Sequence, residues 1–448
     1  MKRRTFLGAA AVAVTGSALA EERQSSQVVA SHEVDTIQEQ PRSVPVVQDC
    51  DVCVLGGSCT GVFAAVRAAQ MGAKVAIVEK QNAFGGVATA GLVNVWHKLV
   101  GNKTKEQIIG GLTEQIIENL RKIGAAHGNS GYRLNTEELK IELDRLVLEH
   151  EITPYLHTFY AAPHIEEGRV KAIFIENKNG RQAIRAGIFV DATGDGDLAM
   201  HAGLPFEIRD GVQPPTTCAK ISGLPKDALK LIAQHREEFD LAVDHGWGTF
   251  VPSSPGVDMC AYRHVFDTIA SDASQLTAAE IDGRRQVRAY MDIARKYGGE
   301  SNAPCLLDLG ATIGIRETRS FKANYILTET DVLECKRFPD AIANGTYPID
   351  VHDAETGQFK FKRPKGDFYQ IPLSTLVSNK APNIVLAGRL ISTDRGAFGG
   401  VRVMVNLNQT GEAAGVTAAL AASRLEAVST IDPALVRKNL AQLGAVIV

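Results

Sequence analysis

From Val46 onward the apolar positions fall into blocks whose spacing switches between the period of a strand and that of a helix. Residues 50–55 form an apolar-dominated strand, 60–71 an alanine-rich helix and 74–79 a second strand, together one βαβ unit that predicts a parallel sheet. Apolar residues at helical spacing predict helices within 106–123 and 136–150, the second opened by Thr136-Glu137-Glu138-Leu139. Strand-rich runs over 152–160, 169–177 and 183–191, broken at Gly168 and Asn179-Gly180, predict a meander. From about 224 to 361 the sheet pattern gives way to a charged, helical and loop-rich stretch. A strand at 383–386 and an alanine-rich helix at 409–424 then close the chain.

Ahead of this pattern, Lys2, Arg3 and Arg4 precede an apolar run over 6–19 that ends in Ala18-Leu19-Ala20. A basic head, a short apolar run and small closing residues mark a signal peptide over 1–20. The paired arginines before Thr5-Phe6-Leu7 resemble the twin-arginine export signal; an ordinary secretory signal or a short anchor are the alternatives. On the first reading the mature protein is exported, periplasmic or extracellular, with the twin-arginine machinery as a partner. Residues 21–45 are polar and without period, and read as a disordered linker. No other run reaches ~18 apolar residues, so no integral membrane segment is expected in the mature protein.

The 448 residues are 45% apolar, enough for two or three packed units. With 48 basic and 51 acidic side chains the net charge is -3, and no basic patch for nucleic acid emerges. Seven cysteines are few and odd in number, which predicts mostly free, buried thiols. Cys50 and Cys53 have dithiol spacing, but strand alternation sends them to opposite faces. No His or Cys spacing suits a metal and Gly-x-Ser-x-Gly is absent, so neither a metal enzyme nor the common hydrolase is expected.

Gly56-Gly57-Ser58-Cys59-Thr60-Gly61 follows the first strand and opens the first helix, where a glycine turn lets backbone approach a pyrophosphate. Ser58 stands where the fingerprint has its second glycine; its hydroxyl can donate a hydrogen bond in return. Glu79, with Lys80 beside it, ends the second strand eighteen residues past Gly61, the place for a carboxylate on an adenosine ribose. The expected fold is therefore α/β. A Rossmann-type dinucleotide-binding domain, discontinuous over 46–223 and 362–448, holds a parallel sheet and a β-meander. A mainly helical substrate or cap domain is inserted at 224–361.

Three further segments carry a resemblance: Gly85-Gly86-Val87-Ala88-Thr89-Ala90-Gly91, Asp191-Ala192-Thr193-Gly194-Asp195-Gly196-Asp197, and Gly388-Arg389 followed by Gly399-Gly400-Val401-Arg402-Val403-Met404. With Gly314-Ile315-Arg316-Glu317-Thr318-Arg319 they resemble the FAD-dependent oxidoreductase family of the glutathione-reductase superfamily. The resemblance implies FAD as cofactor. It also implies Gly86 and Thr89 along the flavin, Ala192, Thr193 and Gly194 over the pyrophosphate and adenosine, and a helix N-terminus after Arg402 to Met404 at the flavin's pyrimidine edge. Backbone near Tyr160 would meet the adenine.

Candidate chemistry gathers on His97, Arg316 and Arg402, with Glu317 and Arg319 nearby in sequence. His97 follows the 85–91 segment closely enough to act as a base; packing beside Trp96 or covalent attachment of flavin are the alternatives. Arg316 and Arg319, spaced one helical turn apart, suit an anionic group, or else a salt-bridged surface helix with Glu317. The expected function is hydride transfer between a small polar organic substrate and flavin N5. Electrons would pass to a non-nicotinamide acceptor of unknown identity, since only one dinucleotide cradle is evident. Double-bond reduction, or structural FAD in a binding protein, are the competing readings.

Overall fold

The structure is a computed structural model that describes residues 36–299, 303–352 and 359–448. The expected signal peptide and the first part of the expected linker lie outside the described residues; residues 36–45 contain neither helix nor strand.

Strand β1 (Val46–Leu55), helix α1 (Cys59–Gln70) and strand β2 (Val75–Val78) form the expected βαβ unit, with β1 and β2 parallel and Val52 opposite Val75. β1 is covered on both faces: Val52 and Val54 enter one core, Cys53 and Leu55 another. That double burial is why a parallel strand reads as a continuous apolar run. Cys50 keeps the alternation at the start of the strand, buried between exposed Asp49 and Asp51, and adds to the core that holds Cys53 and Leu55. All seven cysteines are free and five are buried.

Helices α2 (Gly111–Lys122) and α3 (Thr136–Glu149) add their apolar stripes to the core of Val52 and Val54. The cap of α3 is Asn135, whose side chain accepts from Glu137 N–H at 3.0 Å. Strands β3 (Thr153–Tyr155), β4 (Phe159–Glu166), β5 (Arg169–Asn177) and β6 (Gly180–Asp191) extend the sheet in the order β3-β2-β1-β6-β5-β4. β6 is parallel to β1, whereas β4, β5 and β6 form the antiparallel meander.

The helical region expected after residue 224 is present, and its main element has a sheet beside it. Strands β7 (Ala219–Ser222), β8 (Trp247–Phe250), β9 (Val257–Ala261) and β10 (Cys305–Leu309) pair antiparallel in the order β8-β9-β7-β10. The 25-residue helix α4 (Ala273–Tyr297) packs Val287, Tyr290 and Ile293 against Ile221 and Cys260 of that sheet. Strands β11 (Ile349–His352) and β12 (Phe359–Lys362) then form an antiparallel pair.

The chain returns to the first sheet at β13 (Ile384–Leu386), which lies parallel to β6 with Ile384 opposite Phe189. Helix α5 (Met404–Arg424) closes on α1. Their approach requires glycine, because a Cβ at Gly411 or Gly415 would sit 2.1 Å from the carbonyl oxygen of Thr60 or Ala64. Among the described residues no helix is long and apolar enough to cross a membrane.

Candidate functional site

Three parallel strands, β1, β6 and β13, end side by side, and the turns that leave them line one cavity of about 990 Å³. Gly56, at φ +94°, makes the first turn; a Cβ there would lie 2.3 Å from the Ala192 carbonyl oxygen. Ser58 caps α1, its Oγ accepting from Gly61 N–H at 3.3 Å, which leaves the hydroxyl proton to be donated. Gly56, Ser58 and Thr60 line the cavity, while Gly57 and Gly61 do not. Gly61 serves close packing, as its Cβ would meet the Gly56 oxygen at 1.8 Å.

The other predicted segments converge on the same space. Glu79 and Lys80 line it, and Glu79 also fixes the cradle: Oε2 accepts from Gly57 N–H at 2.6 Å and Oε1 from Gln81 N–H at 2.8 Å. Both oxygens keep lone pairs for further donors. Gly86 lines the cavity, whereas Thr89 is fully buried behind it and donates to the Phe84 carbonyl at 2.6 Å. Ala192, Thr193 and Gly194 form the second wall. Asp191 organises that turn by accepting from Thr193 N–H and Oγ1 at 3.1 and 2.8 Å, and burial pushes its carboxyl up to about 6. Gly388 and Arg389 follow, with Arg389 paired to Asp195 at 2.7 Å. Burial opposes ionisation of Asp195, yet Arg389 and Lys80 hold its carboxyl below the usual range. Tyr160 and Gly400 do not line the cavity: Tyr160 hydrogen-bonds His201 at 3.0 Å, and Gly400 lies in a buried helical turn where its carbonyl accepts from Tyr369. Phe159, beside Tyr160, does reach it.

Helix α5 begins at the cavity with Val403 as N-cap and no side-chain cap, so its first N–H groups remain available to an acceptor. Val403, Met404 and, one turn on, Asn408 line the wall. Asn408 is 1% exposed and neither its amide nitrogen nor its oxygen has a partner. A buried carboxamide without a protein partner can receive a polar edge of a ligand. These donors, with a cradle that any Cβ would fill, fit the dinucleotide expected from the sequence.

The remaining wall carries charge and imidazole. His97, Arg316 and Arg402 all line the cavity, together with Tyr347, Asp350 and His352. Asp350 is the hub: its Oδ2 accepts from Tyr347 Oη at 2.8 Å and Arg402 Nη2 at 3.1 Å, with His352 Nε2 at 3.5 Å. Burial works against its ionisation, but His352 and Arg402 hold it at about 2. Burial and then the Arg402 charge push His97 down to about 4, and its ring lies 4.2 Å from that of Tyr347. Arg316, brought down to about 10 by burial, donates to the Pro214 carbonyl at 2.7 Å and Thr216 Oγ1 at 2.6 Å.

Two expectations for this wall fail. Residues 315–318 are not helical, so Arg316 and Arg319 share no face; Arg319 turns to Asp197 at 3.0 Å. Glu317 pairs with Arg209 at 2.8 Å. Tyr347, Asp350, His352 and Asn408 escape the sequence reading. The signal for two of them lies in strand β11, where Asp350 and His352 alternate onto one face.

No curated protein matches the chain. Solved structures with a related course include a geranylgeranyl bacteriochlorophyll reductase-like protein from Thermoplasma acidophilum, with 13% identity over 88% of this chain and 83% of that one and a TM-score of 0.48. The flavin-dependent brominase Bmp2 has 12% identity over 85% and 81%, with a TM-score of 0.45. An L-amino acid deaminase from Proteus myxofaciens has 11% identity over 89% and 95%, with a TM-score of 0.42. The family model described as FAD dependent oxidoreductase matches residues 51–440, and with that match and a cradle of this shape the chain belongs to that family, an oxidoreductase enzyme with FAD as its cofactor.

Proposed function

We propose that the enzyme removes a hydride from a small, polar, anionic organic substrate and passes the electrons to an acceptor other than a nicotinamide. FAD, when bound, supplies the two-electron acceptor at its flavin N5. The observation that carries this reading is the single cavity that joins the glycine cradle at Gly56, Ser58 and Gly194 to Arg316, Arg402, His97 and His352. The cradle and the N-termini of α1 and α5 would hold the dinucleotide, with Asn408 meeting one of its polar edges. Arg316 and Arg402 would fix the substrate's anionic group, because a buried guanidinium gains most from an ionised partner. His97 and His352, held to about 4 and about 3 chiefly by burial, are neutral near pH 7, so either imidazole can accept the substrate's proton.

The single glycine cradle supports a non-nicotinamide acceptor. Arg3, Arg4 and the apolar run after them support export, which replacing both arginines by lysine would stop. The test is anaerobic bleaching of the bound flavin by a panel of 2-hydroxy acids and their neutral alcohol counterparts. The acids should bleach it, and Arg316→Ala should raise the required acid concentration roughly 10- to 100-fold. Bleaching by the neutral alcohols alone would refute the reading, and so would rapid, saturable bleaching by NADH.

A further inference from the structure

The short strand Val95–His97 pairs antiparallel with the strand Gly131–Leu134, Val95 opposite Arg133 and His97 opposite Gly131. Residues two apart on a strand share a face, and so do residues directly opposite across a pair. Val95, His97 and Arg133 therefore point the same way, and all three line the cavity that holds the glycine cradle. Arg133 is held at two of its nitrogens. Nε donates to Thr249 Oγ1 of β8 at 3.2 Å, and Nη1 to the Gly131 carbonyl at 3.3 Å. Among the described residues its Nη2 has no partner, and no carboxylate pairs with it.

Arg316 faces the same cavity in the same condition. Its Nη1 is occupied by Pro214 and Thr216, while among the described residues Nε and Nη2 have no partner. Those two nitrogens form the edge of a guanidinium that matches both oxygens of a carboxylate. Arg402 is the third guanidinium of this wall, with Asp350 as its acid at 3.1 Å. Glu280, the other carboxylate here, is already matched: it accepts from Ile313 N–H at 2.7 Å and pairs with Arg284 at 3.0 Å. Three guanidinium charges against the one charge of Asp350 leave a surplus of two at this end of the cavity. Burial, then Arg402 and to a smaller extent Arg133, push His97 down to about 4 against the pull of Asp350, so both arginines act on its ring.

We propose that the substrate is a dianion, a small hydroxy dicarboxylate held at both ends. The carboxylate beside the reacting carbon binds Arg316 and Arg402, and the second carboxylate binds Arg133 on the other side of His97. The inference rests on the oxidation proposed above and names its substrate class. Two carboxylates offset the positive surplus in full, whereas one leaves a guanidinium unmatched. Both anchors are also tethered, Arg133 to Thr249 of β8 and Arg316 to Thr216. Anchors fixed by the protein select chain length as well as charge.

Two measurements test this on the FAD-loaded protein. The first needs no oxidation: malonate, succinate, glutarate and adipate are titrated calorimetrically beside the monocarboxylates of the same carbon number. One diacid should bind roughly 10- to 100-fold more tightly than its monoacid. Arg133→Gln, which removes the charge but keeps a polar side chain, should bring that ratio close to 1, and Arg133→Lys should retain part of it. Equal binding of diacids and monoacids by the wild type, which needs no variant to fold, overturns the proposal, and so does an Arg133→Gln protein that keeps the ratio. The second adds the 2-hydroxyl: the hydroxy diacid of the preferred length should bleach the flavin at a concentration roughly 10- to 100-fold lower than its hydroxy monoacid. Hydroxy monoacids that bleach as readily sink the dianion site and leave the oxidation standing. Preferential diacid binding without bleaching by any hydroxy acid counts against the oxidation and leaves the dianion site standing.

Discussion

Removing one partner of the ion pair between α1 and α5 should cost the protein a large part of its stability, while removing both should not. Arg67 and Glu412 are 3% and 1% exposed, and Glu412 Oε2 accepts from Arg67 Nε at 2.8 Å and Nη2 at 2.5 Å, with Leu112 N–H at 3.3 Å. Burial raises the Glu412 carboxyl while Arg67 opposes the rise, and Oε1 has no partner. Glu412→Ala strands a guanidinium in the core, which costs about 3–5 kcal/mol against a typical total of about 5–15. Glu412→Gln keeps an acceptor and should lose roughly 1.5–3 kcal/mol. Arg67→Met combined with Glu412→Leu removes both charges at similar volume and should return to within about 1 kcal/mol of wild type. The assay is urea unfolding at a fixed excess of FAD, followed by far-UV signal and flavin fluorescence, with midpoints compared at constant m. A single variant costing under about 1 kcal/mol, or a double variant as costly as the sum, would refute the argument.

Gly56→Val should leave the purified protein without FAD, because the φ of +94° and the Ala192 oxygen exclude any side chain; unchanged yellow colour would remove the cradle assignment. Stability should fall as pH drops from about 6.5 toward 4. His97 and His352 titrate at about 4 and about 3 in the fold but near 6.5 when unfolded, so the unfolded chain binds more protons in that window and each histidine adds a slope of about 1.4 kcal/mol per pH unit. His97→Phe should flatten that slope in pH-dependent urea unfolding, and an identical slope would show that His97 is not held neutral.

Local signals made the nucleotide half of the fold legible. The helix predicted at 60–71 spans Cys59–Gln70 and the strand predicted at 169–177 spans Arg169–Asn177, because glycine stops and apolar period act within a few residues. Helix α5 is predicted only from 409 although it begins at Met404, since its first turns carry Asn406 and Asn408 and its N-cap is Val403, none of them a strong start signal. The sheet of β7 to β10 leaves little trace, because its strands are four or five residues long and the partners of β7, though not those of the β8–β9 pair, lie far apart in sequence. Arg316 enters the cavity as expected, but spacing alone cannot tell a helix from an extended segment, and Arg319 went elsewhere. Asp350 and His352 matter only through Arg402, Tyr347 and His264, contacts that no local pattern announces.

The pairing of β13 with β6 also sets a clock for synthesis. Phe189, Val190 and Asp191 are joined on one edge by Ile384, Val385 and Leu386. About 190 residues separate the two segments along the chain. At ~5–20 residues per second a ribosome needs on the order of 10–40 s to cover that interval. During that time the strand end that carries Ala192 to Gly194 has a bare edge, and the helix that packs on α1 has not yet been made. A nascent chain therefore cannot complete its nucleotide cradle until it is almost finished. Bound FAD thus reports that synthesis has passed the start of helix α5, which supplies Val403, Met404 and Asn408 to the cavity wall.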